Sequence, residues 1–157
     1  MHVAWGASWA WGLSLIALTL GLHAVGLVVT GVILARLEKQ LGSRNLRHAG
    51  ELAGGVLIIA LAGSMLAVLH GIEAALWGAV YLLVGAVDVY SDAILYSVDS
   101  ISTRGASGLN LQPHWKMMGA LEAVDGMLLF GISTAFLFTV LERVWQRLAR
   151  VPRTSHR

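Results

Sequence analysis

Cysteine is absent from this 157-residue chain, proline occurs twice, and only 13% of the residues carry a charged side chain. Without cysteine there are no disulfides and no thiolate metal sites. Soluble domains run nearer a quarter charged. The low charge, with 57% hydrophobic residues and a mean hydropathy of +0.72, therefore excludes an ordinary soluble fold and implies one compact integral membrane protein. The first apolar stretch has no arginine before Arg36, which excludes an arginine-repeat voltage sensor. It also lacks a basic leader and a small-residue cleavage site, so it reads as a retained anchor. The six histidines are scattered, with His114 and His156 in flanks, and no nucleophile stands beside a base. An enzyme is not expected, nor is a cofactor. The net charge of +2 sits in flanking segments and gives no footprint for nucleic acid.

The chain is rich instead in long apolar runs and in glycine, 18 in all, as in helices that pack closely in lipid. Leu13 to Ala35 is long enough for a first membrane helix, and Trp5, Trp9 and Trp11 precede it as an interfacial belt. A polar break occupies 36–51, and a second span runs from Leu52 to about His70. Residues 71–88 read as the outer end of that helix and its turn. Ser91 is placed to cap a short helix running from Asp92 to about Ile101, far too short to cross. Gly105, Gly108 and Pro113 break the chain beyond this short helix, and the last span runs from Lys116 to about Leu141. The chain thus divides into 1–51 (first helix and basic loop), 52–143 (the central unit) and 144–157 (a basic tail that meets lipid headgroups). Of eleven Lys and Arg, four lie in 36–51 and five from Arg143 to the end of the tail, so both segments are expected in the cytoplasm and the N-terminus outside.

Residues 96–111, Y-S-V-D-S-I-S-T-R-G-A-S-G-L-N-L, lie between apolar helices and end a short amphipathic segment in hydroxyls and glycines. Irregular backbone at membrane depth is tolerated only when buried in protein or lining a water-filled cavity. The pattern therefore predicts a re-entrant pore helix and loop. The pieces His23-Ala24-Val25-Gly26, His70-Gly71-Ile72-Glu73 with Trp77 and Tyr81, Asp92 to Ser97, Leu121-Glu122-Ala123 and Gly131 to Ala135 stand in matching order. Over roughly 14–143 the chain resembles the potassium-channel-like pore-loop superfamily, and more narrowly small bacterial "potassium channel family" membrane proteins with an extra N-terminal helix. That resemblance implies an all-α, homotetrameric pore in a bacterial inner membrane that conducts an inorganic ion passively. Laying the family's T-T-V-G-Y-G-D on this chain gives Ser102, Thr103, Arg104, Gly105, Ala106, Ser107 and Gly108. Thr103 and Gly105 fit. Arg104, Ala106, Ser107 and Gly108 depart from the pattern, which puts potassium selectivity in question and not the pore.

Each candidate carries two readings. Arg104 either rings the axis of an anion pore or pairs with Asp99 or Asp125. Ser97, Ser100, Ser102 and Thr103 either line the filter entry or cap helices and bridge subunits. Asp88, Asp92 and Asp99 are placed to concentrate cations at the outer mouth, or, for Asp88 and Asp92, to cap helix starts. Gly126 and Gly131 are either gating hinges or close-packing sites. Glu122 and Asp125 are expected to brace the loop. A non-conducting membrane sensor or subunit that keeps the fold is a further alternative. His70, Glu73, Trp77 and Tyr81 share one helix face. Lacking a second His–Glu pair at that spacing, no metal site is expected, and a polar contact to Glu122 or the first helix is. His23 reads as a satisfied core residue.

Overall fold

The structure is a computed structural model that describes residues 2–42, 48–105 and 107–149. Ala106, the turn at 43–47 and the tail from 150, with Arg44, Arg47, Arg150, Arg153 and Arg157, lie outside the described residues, as does the side chain of Trp5. Among the described residues four α-helices stand in order: α1 (His2–Gly42), α2 (His48–Leu83), α3 (Tyr90–Ile101) and α4 (Lys116–Ala149). A single 3₁₀ turn, Pro113–Trp115, leads into α4, with Pro113 at its first position, where a missing N–H costs nothing.

Three segments are long and apolar enough to cross a membrane, Gly6–Leu41, Gly50–Leu83 and Pro113–Ala149, and the chain is a multi-pass membrane protein. Each helix outruns its apolar stretch at one end or both, because nothing in the flanking polar residues stops it. α2 continues without a break through His70 and Glu73 to Leu83. It stops at Gly85, whose φ of +67° closes a Schellman turn: Gly85 N–H donates to Leu82 O and Ala86 N–H to Tyr81 O at 2.8 Å. α3 has 12 residues, about 18 Å of helix, against about 30 Å of hydrocarbon.

The bundle interior is apolar at its two ends and polar between them. One apolar cluster holds Leu15, Trp77, Tyr81, Ala93, Leu111, Met118 and Leu121, near α3. The other holds Leu34, Ile58, Ala62, Val140 and Val144, near the basic segments. There Arg147 Nε donates to Glu51 at 2.9 Å and Arg147 Nη1 to the Glu38 carbonyl at 3.1 Å, tying α4 to α1 and α2. Between the clusters lie buried Thr19, His23, Glu73, Asp125 and Ser133. Outward faces carry large apolar side chains, among them Val28, Val68, Met127 and Phe138, as lipid contact requires.

α3 is held to α4 through glycine. A Cβ at Gly126 would lie 2.7 Å from the Ile101 carbonyl carbon and closer still to its oxygen. That contact is a packing reason for this glycine. Gly131 has nothing within 4 Å of such a Cβ.

Candidate functional site

α3 begins without the expected cap. Val89 is the N-cap, in extended conformation and with no side-chain hydrogen bond, and Ser91 Oγ turns instead to Asp92 Oδ1 at 3.3 Å. Asp92 in the first turn still faces the positive end of the helix. At the other end α3 closes in a second Schellman turn. Thr103 N–H donates to Ser100 O at 2.8 Å and Arg104 N–H to Asp99 O at 3.0 Å. The left-handed position, usually glycine, is occupied by Thr103 at φ +56°. A β-branched residue there costs about 1–2 kcal/mol. Thr103→Gly is therefore expected to stabilise the chain by roughly 1 kcal/mol, seen as a higher melting temperature in detergent.

Asp99 organises everything after that turn. Its carbonyl accepts from the Arg104 and Gly105 amides. Its carboxylate accepts from Arg104 Nε at 2.5 Å through Oδ1 and from the Ser107 amide at 2.6 Å through Oδ2. The Arg104 guanidinium, with the Ser107 amide, holds the Asp99 carboxyl down at about 2. Burial, and then the carboxylates of Glu122 and Asp99, push the Tyr96 phenol up. The amides of residues 103, 104, 105 and 107 thus all turn inward onto α3. Among the described residues, no hydrogen bond ends on the carbonyls of residues 102–105. A cleft of about 300 Å³ lies along this loop, lined by Tyr96, Asp99, Ser100, Thr103, Gly105 and Ser107.

The remaining candidates sort by what they touch. Arg104 pairs with Asp99 and not with Asp125. The hydroxyls bond within the chain: Ser100 Oγ donates to Gly119 O at 2.9 Å and Ser102 Oγ to Asp99 O at 3.2 Å. Ser97 Oγ donates to Ala74 O at 2.6 Å and also meets Glu122 Oε1. Glu122 Oε2 accepts from the Tyr81 hydroxyl at 2.6 Å, so Glu122 on α4 ties α2 to α3, and among the described residues its hydrogen bonds go to these helices rather than to the loop. Asp125 braces a different joint. Its Oδ2 accepts from Thr19 Oγ1 at 2.7 Å and Trp77 Nε1 at 3.0 Å, joining α1 to α2, while Oδ1 is buried without a partner. Gly108, at φ +72°, is exposed in the loop. Asp88 is exposed in the α2–α3 turn.

The expected contact of the His70 face to the first helix has a specific form. His23 Nδ1 lies 2.8 Å from Glu73 Oε1, and His70 Nδ1 lies 3.1 Å from Glu73 Oε2. Ser133 Oγ stands 3.0 Å from Nε2 of both rings. His23, Glu73 and Ser133 are buried, and His70 nearly so, stacked on Phe130. His23, His70 and Glu73 could hold a metal ion, their ligand atoms lying within 4.8 Å of one another. Sequence reasoning missed His23 and Ser133 as partners, and Thr19 likewise. The available signal was spacing: Thr19 and His23 are one turn apart in α1, and Glu122, Asp125 and Ser133 share a stripe of α4. No family model, no curated protein and no solved structure matches this chain.

Proposed function

We propose that this chain is one subunit of a pore-loop ion channel of the potassium-channel fold, with α3 as its re-entrant pore helix and residues 102–108 as its filter loop. The observation that supports this reading is the direction of the loop backbone. The amides of 103, 104, 105 and 107 are spent on the chain's own α3, and the carbonyls of 102–105 are left without hydrogen-bond partners among the described residues. Carbonyl oxygens freed in this way are what a filter offers a dehydrating ion. One loop cannot enclose a path, so four copies close around an axis as a homotetramer. Their exposed apolar faces meet neighbouring subunits and lipid.

The Arg104 charge is held by Asp99, so carbonyl dipoles and the negative end of α3 set the sign of the path, and the permeant ion is an inorganic cation. The basic ends of the spans favour a cytoplasmic C-terminus with the N-terminus and loop outside, and a bacterial inner membrane is the compartment that the resemblance implies. The test is the reversal potential of purified protein in a planar bilayer under a KCl gradient, alongside its mass in mild detergent. A tetramer with a potential near the potassium limit is expected. A potential at the chloride limit would overturn the cation assignment and put an Arg104 ring on the axis. A strict monomer, or tetramers that pass no current, would overturn the channel and leave a non-conducting membrane subunit.

A further inference from the structure

The middle of the bundle holds an excess of acid. Among the described residues, Glu73, Glu122 and Asp125 are buried between the helices and no lysine or arginine is buried with them. Buried charges are paired, protonated or bound to a cation. Glu122 and Asp125 each face two hydroxyl or indole groups. Glu73 faces only two imidazole nitrogens, Nδ1 of His23 and Nδ1 of His70.

Ser133 determines what those nitrogens present. A serine oxygen has two lone pairs and one proton. Placed 3.0 Å from both Nε2 atoms, it has the lone pairs to accept from both Nε2–H groups at once, as well as the proton to donate to one Nε2. When it accepts from both, the two rings hold the Nε2-protonated tautomer and both Nδ1 lone pairs point at the Glu73 carboxylate. Lone pairs facing an anion repel unless a cation lies between them. On the His70 side the geometry fits this arrangement: among the described residues, His70 Nδ1 and Glu73 Oε2 are both buried without a hydrogen-bond partner, although they stand 3.1 Å apart. His23 Nδ1 stands at hydrogen-bond distance, 2.8 Å, from Glu73 Oε1.

We propose that His23 Nδ1, His70 Nδ1 and the Glu73 carboxylate form a binding site for a divalent transition metal of the zinc class, linking α1 to α2. Two imidazoles and one carboxylate are a ligand set zinc takes when it keeps a fourth position open. Imidazole donors favour zinc, copper, iron or nickel over magnesium or calcium, which want oxygen alone. The ligand atoms, all within 4.8 Å of one another, draw in around an ion held at about 2.0–2.2 Å. Ser133 supplies the outer hydrogen bond that metal-bound histidines need, and does so for both rings. Asp125, within electrostatic range of Glu73 and His23 and carrying a free buried oxygen, supplies the second negative charge that balances a dication. The site stands independently of the channel reading.

The experiment uses the full chain in mild detergent, stripped with a chelator and titrated with Co²⁺ and then Zn²⁺. One Co²⁺ per chain with the visible absorption of a four-coordinate site is expected, displaced by Zn²⁺, with a melting temperature that rises with added Zn²⁺. His70→Ala, chosen because this ring already reaches the surface, is expected to abolish the absorption while keeping the helical fold. Ser133→Ala is expected to keep it and bind about 10–100-fold more weakly. Natively folded protein that takes up no Co²⁺ or Zn²⁺ would overturn the proposal and leave protons holding the cluster. Uptake unchanged in both His70→Ala and Glu73→Gln would overturn it by placing the metal elsewhere.

Discussion

A Gly126→Ala chain is expected to lose the docking of α3 on α4, and with it the order of the adjoining loop. Alanine in a helix interior is favoured over glycine by about 0.8–1.0 kcal/mol, so propensity alone would stabilise the variant. Against that stands the Ile101 carbonyl, which already occupies the place of the new methyl group. Overpacking costs about 1–3 kcal/mol. The upper end applies here because the obstacle is backbone at the last residue of α3, not a side-chain tip that can rotate away. The clash wins, and a net loss of about 2 kcal/mol is expected, read as a lower melting temperature in detergent. Gly131→Ala is the control. Nothing lies within 4 Å of its added Cβ, so propensity wins there and stability is unchanged or raised by up to about 1 kcal/mol. Equal melting temperatures for Gly126→Ala and the parent would restore Gly126 as a hinge.

The spans and the short helix were legible because their signals are local. Apolar runs bounded by Arg36, Glu51 and Glu142 give three crossings, and Gly105, Gly108 and Pro113 mark the end of α3. Ser91 misled because capping depends on where the chain enters the helix, and Val89 in extended conformation starts α3 two residues earlier than a Ser91 cap requires. The Asp99–Arg104 pair was legible as one of two options, being five residues apart. The polar middle of the bundle was not. His23 and Glu73 are separated by 50 positions and Thr19 and Asp125 by 106, so nothing local links them. A lone histidine in an apolar helix reads as core until the partner helix is placed beside it. The rule that intramembrane acids have partners held for Glu122 and Asp125 alike, but only packing decides that one braces α3 and the other joins α1 to α2.

Replacing Arg104 with glutamine is expected to move the titration of Asp99 upward from about 2 toward its ordinary 3.8. The guanidinium is the largest influence holding that carboxyl down; burial opposes it, and the Ser107 amide and hydroxyl, which remain, still lower it. The direction fixes the pH window. A carboxyl depressed in the folded chain adds stability that is fully present above its unfolded value and disappears as pH falls through the folded one. The loop of the parent chain should therefore stay ordered from neutral pH to below 4 and come apart between about 4 and about 2. In Arg104→Gln the window should close at higher pH, nearer 3.8, and the stability that depends on it should be smaller. The carboxyl carbon shift of Asp99 in labelled protein reads the first effect, and the Ser107 amide signal reads the second. Asp99→Ala removes both the carboxylate that holds Arg104 and the acceptor for Ser107, so no pH should restore the parent loop. Charge then decides the effect on conduction. In the proposed tetrameric channel, loss of Asp99 would leave four unpaired guanidinium groups at the mouth, and cation current should fall or give way to anion current. An Asp99→Ala chain that keeps both the Ser107 amide signal and the parent reversal potential would mean that Asp99 neither orders the loop nor masks Arg104.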